Sequence, residues 1–331
     1  MELRNLGKTG LRVSTLGFGC GNVGGLIIRG TVAEREHAVA RAMELGVNYF
    51  DTAPSYGDGE SERNLGQVLK SLRARVQVGT KFRLDPPDLH DIAGAVGRSL
   101  DASLKRLDME RVDLFQLHNR IETARGRGAL SVGDVLNEVV PAVQKLRQQG
   151  KVGFCGITGL GDTPALHQSI DGGTIDTAQV CYNLLNPSAG AQVPAGFPAQ
   201  DFGRLLDRTR ERRMGVIVIR VLAAGALSGV ETRHPVAVPT VDPIATAPDY
   251  RTDVARAQAL GGLVREGHVE NLMEASIRLA VGSDAVSTVL VGYSSLEHLE
   301  AAAAAVNRGP LPAAALQRLA ALWSGLALSR G

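Results

Sequence analysis

Cysteine is scarce in this chain: Cys20, Cys155 and Cys181 are the only three in 331 residues. They are too few and too scattered for a disulfide framework or a zinc site. Each falls in or beside an apolar run, where a buried, inert thiol is expected. Charge of one sign is missing as well. Lys and Arg number 36 against 34 Asp and Glu, interspersed, for a formal net charge of +2. That balance leaves no electrostatic footprint for nucleic acid or a membrane surface. Long apolar runs are also absent, and none approaches the roughly 20 residues that span a bilayer. The opening MELRNLGKTG holds no signal-peptide core. The expectation is a cytoplasmic protein.

What remains is a globular balance, 44% hydrophobic and 21% charged residues, with ample material for one core. No shift in composition divides the chain, so residues 1–331 read as a single domain. An N-terminal hairpin (Glu2–Leu6, the turn GKTG, Leu11–Val13) comes first. Short apolar runs then recur at STLGFGC, VNYFD, VQVGTK, VDLFQLH, VGFCGIT, DTAQVC, GVIVIR and STVLVG. Helical stretches separate them, among them Ala33–Leu45, Ser61–Leu72, Ile92–Leu107 and Val135–Gln149. In Ile92–Leu107 the residues Ile92, Val96, Leu100, Leu104 and Leu107 form one stripe at helical spacing. Strands alternating with helices imply a parallel sheet with helical crossovers. Eight such units fit a closed (β/α)8 barrel in size and count. Two Pro-rich loops, near Asn186–Pro198 and Arg233–Pro248, and a C-terminal helix from about Pro312 complete the α/β fold.

An open doubly wound sheet is the rival, and it has a hook. Gly19-Cys20-Gly21-Asn22-Val23-Gly24 is a literal GxGxxG after the first apolar run. A dinucleotide fingerprint should open a helix directly, with an acid about 20 residues further on. Here Gly25, an apolar LII and Arg29-Gly30 intervene before a helix expected at about Thr31, and the acid, Asp51, comes late. Glycine is abundant in the chain, with 39 residues, so chance matches are easy.

Active residues of a barrel lie at the C-terminal ends of its strands and in the loops that follow. Those positions hold Asp51, then Tyr56 in the loop APSYG, Lys81 in VGTK, and His118 in LFQLH. Taken singly, each has an ordinary reading: a turn acid, a loop aromatic, a snorkelling lysine, a satisfied core histidine. Together they put four titratable groups on three adjacent strands at one rim. A phenol alone, with a reference pKa near 10, is a weak proton donor at neutral pH. A buried ammonium nearby favours the phenolate, and Lys81 could supply it with Asp51 as counter-ion. His118 could orient a carbonyl oxygen. Such a site moves a proton for a carbonyl/alcohol couple and needs a cofactor for the hydride.

LGKTGLRVSTLGFG, FDTAPSYGDGESERNLG, VGTK, DLFQLH, GKVGFCGITG, AQVCYNLLN, LAAGALSG and STVLVGYSS occur in that order. On these segments the chain resembles the aldo-keto reductases over almost its whole length. The resemblance implies a TIM barrel that binds NADP(H) or NAD(H) without a Rossmann fold; no His/Cys/Asp cluster stands at ligand spacing, so no metal is expected. The resemblance makes Asp51, Tyr56, Lys81 and His118 the catalytic tetrad. It assigns cofactor contacts to Gly19, Thr158, Gln179, Arg220, Leu222, Gly292, Ser294, Ser295 and His298. Of these, Gln179 matches the residue that meets the nicotinamide carboxamide, and Leu222 the pyrophosphate clamp. Gly292, Ser294, Ser295 and His298 match the segment around the adenosine ribose and its 2′-phosphate.

Several positions depart from the family pattern. Thr158 stands where the family usually has Ser, and Gly159 where Asn usually follows. Ile219-Arg220 replaces a frequent stacking aromatic. No Lys or Arg stands in the 292–298 segment, and Ala301-Ala302 replaces the adenine-reading Glu-Asn pair. GFCGITGL, STVLVGYSS and PAVQKLRQQGK look most like the galactose- and fucose-type aldose dehydrogenases, which implies a small carbonyl or sugar substrate. A regulatory subunit like the potassium-channel β proteins, which retain the reductase fold, is the alternative.

Overall fold

Eight apolar runs become eight parallel strands that close on themselves. The computed structural model describes residues 1–126 and 128–328. Its strands are β1 (Leu3–Asn5), β2 (Arg12–Ser14), β3 (Leu16–Gly19), β4 (Tyr49–Asp51), β5 (Gln77–Phe82) and β6 (Val112–Leu117). A small parallel pair, β7 (Ile121–Glu122) and β8 (Leu130–Ser131), precedes β9 (Val152–Thr158), β10 (Thr177–Cys181), β11 (Gly215–Ile219) and β12 (Thr288–Gly292). Around the barrel the order is β3-β4-β5-β6-β9-β10-β11-β12, and β12 pairs back onto β3. The doubly wound alternative is thereby excluded.

The helices pack outside. They are α1 (Leu26–Arg29), α2 (Val32–Glu44), α3 (Glu60–Ser71), α4 (Ile92–Leu107), α5 (Val132–Asp134), α6 (Val140–Gln148) and α7 (Thr163–Asp171). The later ones are α8 (Leu205–Glu211), α9 (Tyr250–Ala259), α10 (Gly262–Arg265), α11 (Leu272–Val281), α12 (Leu296–Asn307) and α13 (Ala313–Leu328). In α4, Asp91 caps the start by accepting from Gly94 N at 2.9 Å, and the expected stripe is buried against the barrel. Among the described residues, no helix is long and apolar enough to cross a membrane.

One helical expectation needs correction, and one further helix has no counterpart in the sequence pattern. The stretch expected at Val135–Gln149 begins earlier, at a capping box between Ser131 and Asp134, and winds as a π-helix over Val135–Val139 before α6. Pro141, at the start of α6, explains the wider turn: it donates no hydrogen bond, and its ring crowds the carbonyl four residues back. The second departure is α9, which follows directly on the Pro-rich loop, capped by Asp249 accepting from Thr252 N at 2.8 Å.

The hairpin of β1 and β2 plugs the N-terminal end of the barrel. Leu6 and Val13 pack there with Tyr49, Leu114 and Ile217 from inside the barrel. Strand alternation carries the same inward face up from Tyr49 to Asp51 and from Leu114 to Gln116. The floor is therefore apolar, and the layer above it is polar. The GxGxxG loop leads only into the four-residue α1, not into the long helix of a dinucleotide fingerprint. A Cβ on Gly24 would lie 2.4 Å from Tyr293 N, so the loop packs backbone to backbone on the end of β12.

Candidate active site

Asp51 ends β4 with a carboxylate only 1% exposed, and Lys81 on the neighbouring β5 is equally buried. Their side chains form an ion pair inside the barrel mouth, Lys81 Nζ donating to Asp51 Oδ1. The ammonium's other two N–H groups go to Thr52 O at 2.9 Å and Tyr56 Oη at 3.2 Å. All three donors of the ammonium are thus used. Burial by itself would strip its proton, but the Asp51 carboxylate, and after it the Tyr56 phenol, outweigh burial and hold the lysine above its usual value. Lys81 is a permanent cation at any ordinary pH.

The second oxygen of Asp51 is just as engaged. Oδ2 accepts from Tyr49 Oη at 2.9 Å, Gln116 Nε2 at 2.9 Å and Gln179 Nε2 at 2.8 Å. Burial first, and then Asp51, push the Tyr49 phenol well above the usual tyrosine range, so it stays a donor. A side chain on Gly79 would put its Cβ 2.5 Å from Tyr49 Oη. Glycine there is what lets the Tyr49 ring lie across β5.

Tyr56 stands on the loop after β4, half-buried. Gly57 N donates to Asn22 Oδ1 at 3.0 Å, which ties this loop to the one after β3. Lys81 Nζ lies 4.8 Å from the Tyr56 ring centre. The His118 ring stands edge-on to that of Tyr56, 6.0 Å between centres at 87°. Its backbone N donates to Phe82 O at 2.8 Å, while no hydrogen bond engages the imidazole among the described residues. Burial, then the charges of Lys81 and Arg83, push His118 down to about 3. It is a neutral imidazole at neutral pH, able to donate from one nitrogen.

Beside this cluster, Thr158 on β9 pairs in register with Gln179 on β10. The Thr158 hydroxyl is buried and has no hydrogen-bond partner among the described residues, so it fits a polar group arriving from outside. Arg220 follows β11 with φ 54°, its carbonyl held by Asn183 Nδ2 at 2.8 Å. Leu222 opens a turn in which Ala223, Ala224 and Gly225 all have positive φ. Backbone N–H groups in such conformations can form an anion-binding concavity. Gly19 and Gly292 are register partners at the ends of β3 and β12. Ser294 donates to Gly24 O at 2.7 Å, and Ser295 caps α12 by accepting from His298 N at 3.4 Å. The expected residues thus fall into three groups: the tetrad with Thr158, Gln179 and Arg220, the turn that Leu222 opens after β11, and the set at the β3/β12 edge.

Sequence reasoning missed the rest of the support. Tyr49 and Gln116 each sit two residues before a predicted site residue, so period-two alternation was an available signal for both. Arg29 and Arg233 gave none. Arg233 donates to Val238 O at 2.6 Å, Ala224 O at 2.6 Å and Val23 O at 3.2 Å. Arg29 donates to Val236 O at 2.6 Å and Asn22 O at 2.7 Å. Together they strap residues 233–238 across the loops after β3 and β11.

The aldo/keto reductase family model matches residues 15–324. L-galactose dehydrogenase of Arabidopsis thaliana is 33% identical over 318 residues, covering 93% of this chain and 88% of that protein. The holo form of an aldo-keto reductase from Bacillus halodurans superposes with a TM-score of 0.71 at 25% identity, over 97% of this chain and 96% of its own. An aldo/keto reductase from Klebsiella pneumoniae, in complex with NADP and acetate, shares the fold with a TM-score of 0.69 at 21% identity, over 98% and 96%.

Proposed function

We propose, from the premise that the chain belongs to the aldo/keto reductase family, that it interconverts an aldehyde, ketone or aldose with its alcohol or lactone by NAD(P)(H)-dependent hydride transfer. Membership carries NAD(P)-dependent oxidoreduction; the residue roles and the substrate class are the proposal. One observation carries the roles: a buried ammonium, compensated by Asp51, donates to the Tyr56 phenol at 3.2 Å.

Tyr56 is the proton donor in reduction and the acceptor in oxidation. Its oxygen is the one titratable atom of the cluster that is both joined to Lys81 and on the open side of the barrel mouth. As the proton leaves Tyr56, negative charge grows beside a cation that is already in place, so no reorganisation is needed. Asp51 keeps that cation charged and immobile through four side-chain partners. His118, neutral, donates from one ring nitrogen to the substrate oxygen and fixes its direction.

Gln179 and Thr158 would hold the carboxamide of a nicotinamide cofactor, and the 222–225 turn its phosphates. When bound, the cofactor supplies or accepts the hydride at the substrate carbon. Hydride and the Tyr56 proton together convert a carbonyl to an alcohol, so charge and atoms balance. The likeness to L-galactose dehydrogenase supports a sugar hydroxyl at an anomeric carbon as the oxidised group.

An absorbance screen following the reduced nicotinamide, with both cofactors against aldoses and simple aldehydes, tests this reading. Turnover with a carbonyl or aldose is expected. Cofactor binding without turnover on any such compound favours the regulatory-subunit reading instead.

A further inference from the structure

Arg220 follows β11 in a conformation that its side chain does not favour. A φ of 54° in a residue other than glycine is strained and persists only where the surroundings fix it. Two donors fix it here: Asn183 Nδ2 and Ala223 N each bond the Arg220 carbonyl at 2.8 Å. The guanidinium is thereby held at the barrel mouth, where burial lowers its proton affinity and Cys181, Tyr56 and Asp242 only partly offset that.

Arg220 also has no carboxylate within ion-pair distance among the described residues; that of Asp242 acts on it only from farther away. Other guanidinium groups near the core have carboxylates, as Arg106 does with Glu62 and Arg278 with Glu274. Arg233, without one, has its donors on three carbonyls. Arg220 forms no salt bridge among the described residues. Among the described residues its one side-chain hydrogen bond runs from Nη1 to a neutral acceptor, Asp242 O at 3.0 Å, and its other N–H groups meet no partner there. Lys81 is paired with Asp51, whereas the Arg220 guanidinium at the mouth has no ion pair among the described residues. A half-buried charge without a partner is costly, and a ligand that brings an anion recovers that cost.

We infer that Arg220 is a specificity-determining residue that grips the carboxylate or phosphate of an anionic aldehyde or aldose while Tyr56 and His118 meet its reacting oxygen. This rests on the oxidoreductase reading above. The planar fork of donors suits either oxyanion. It suits an oxidised nicotinamide ring poorly, because that ring is itself cationic.

The test compares matched substrates in the intact protein: D-glucuronate and D-glucose 6-phosphate against D-glucose, and succinate semialdehyde against butanal. The wild type should favour the anionic member by about ten- to a hundredfold in kcat/KM. Arg220→Gln should erase most of that ratio through KM, and Arg220→Lys should keep part of it. The sugar acid and the sugar phosphate, compared with each other, separate the two sources of anion. In the unmodified protein, malonate or inorganic phosphate should inhibit turnover of the neutral member in competition with substrate, and absence of that inhibition counts against the inference. A wild type indifferent to substrate charge, or an unchanged ratio in Arg220→Gln, overturns it. So does an equal loss of NADPH and NADH affinity by fluorescence, which would assign the guanidinium to the cofactor. Turnover without charge preference sinks this inference alone; no cofactor binding and no turnover sinks the function with it.

Discussion

Gln179 reaches across the barrel to Asp51, Nε2 to Oδ2 at 2.8 Å, joining β10 to β4 over 128 positions of sequence. Asp51 is therefore the hub of four strands, and its charge is needed for more than Lys81. Asn in its place offers a single oxygen, which can face Lys81 or the donors from Tyr49, Gln116 and Gln179, but not both. Asp51→Asn should destabilise the fold by about 3–5 kcal/mol, the usual effect of leaving a buried charge uncompensated. Thermal and urea unfolding measure it. An unfolding midpoint equal to wild type would show that the buried network holds without the carboxylate.

Tyr56→Phe keeps the ring beside His118 and removes only the oxygen that Lys81 reaches. Acid–base help is typically worth about 10²–10⁴-fold, so kcat should drop by at least that order. Cofactor affinity, read by fluorescence titration, should stay close to wild type. Near-normal turnover would reduce Tyr56 to a loop-packing residue.

His118 makes stability depend on pH in a defined direction. Its folded value lies at about 3, against about 6.5 when unfolded. Between those values the unfolded chain binds the proton and the folded chain does not. Stability is therefore lost as pH falls below about 6.5, approaching 1.4 kcal/mol per unit, and the loss ends near the folded value. Comparing wild type with His118→Asn cancels the other titrating groups. The stability difference should shift by about 2 kcal/mol against the wild type between pH 7 and pH 5. Parallel pH profiles would mean that the imidazole protonates freely in the folded state.

How far local pattern reaches into this fold depends on sequence distance. The tetrad was legible because each member ends a strand or follows one, and strand ends show as abrupt stops in apolar runs. Alternation puts Gln116 on the inward face of its strand, but its role comes from register: it stands opposite Lys81, and pairing between strands is not a local signal. α9 was missed for another reason. It buries only Asp253, Val254 and Ala257, too narrow a stripe to show helical periodicity. The straps made by Arg29 and Arg233 join residues 207 and 210 positions apart, onto backbone carbonyls that no side-chain pattern announces.

Metal removal should change nothing. Among the described residues, no group of three or more His, Cys, Asp or Glu could hold an ion, and the tetrad's carboxylate is fully engaged. Activity should survive EDTA. Loss on chelation with recovery on added zinc would require a different mechanism.

Cofactor preference should be shallow. A 2′-phosphate dianion is best met by charge-assisted bonds, and the 292–298 segment has little to offer. Its Ser294 hydroxyl is spent on Gly24 O and the Ser295 oxygen on capping α12. His298 lies exposed on the first turn of α12, its ring 5.8 Å from that of His234. Partial desolvation, then His234, hold its proton affinity below the usual imidazole value, so it is mostly neutral near pH 7.5. The ratio of kcat/KM for NADPH over NADH should therefore stay under about 1,000-fold, or about 4 kcal/mol. A phosphate entering this edge would favour the protonated form of His298, so any preference for NADPH should grow as pH is lowered from 8 to 6. A preference beyond that bound, unchanged with pH, would mean that an arginine or lysine outside this segment meets the phosphate.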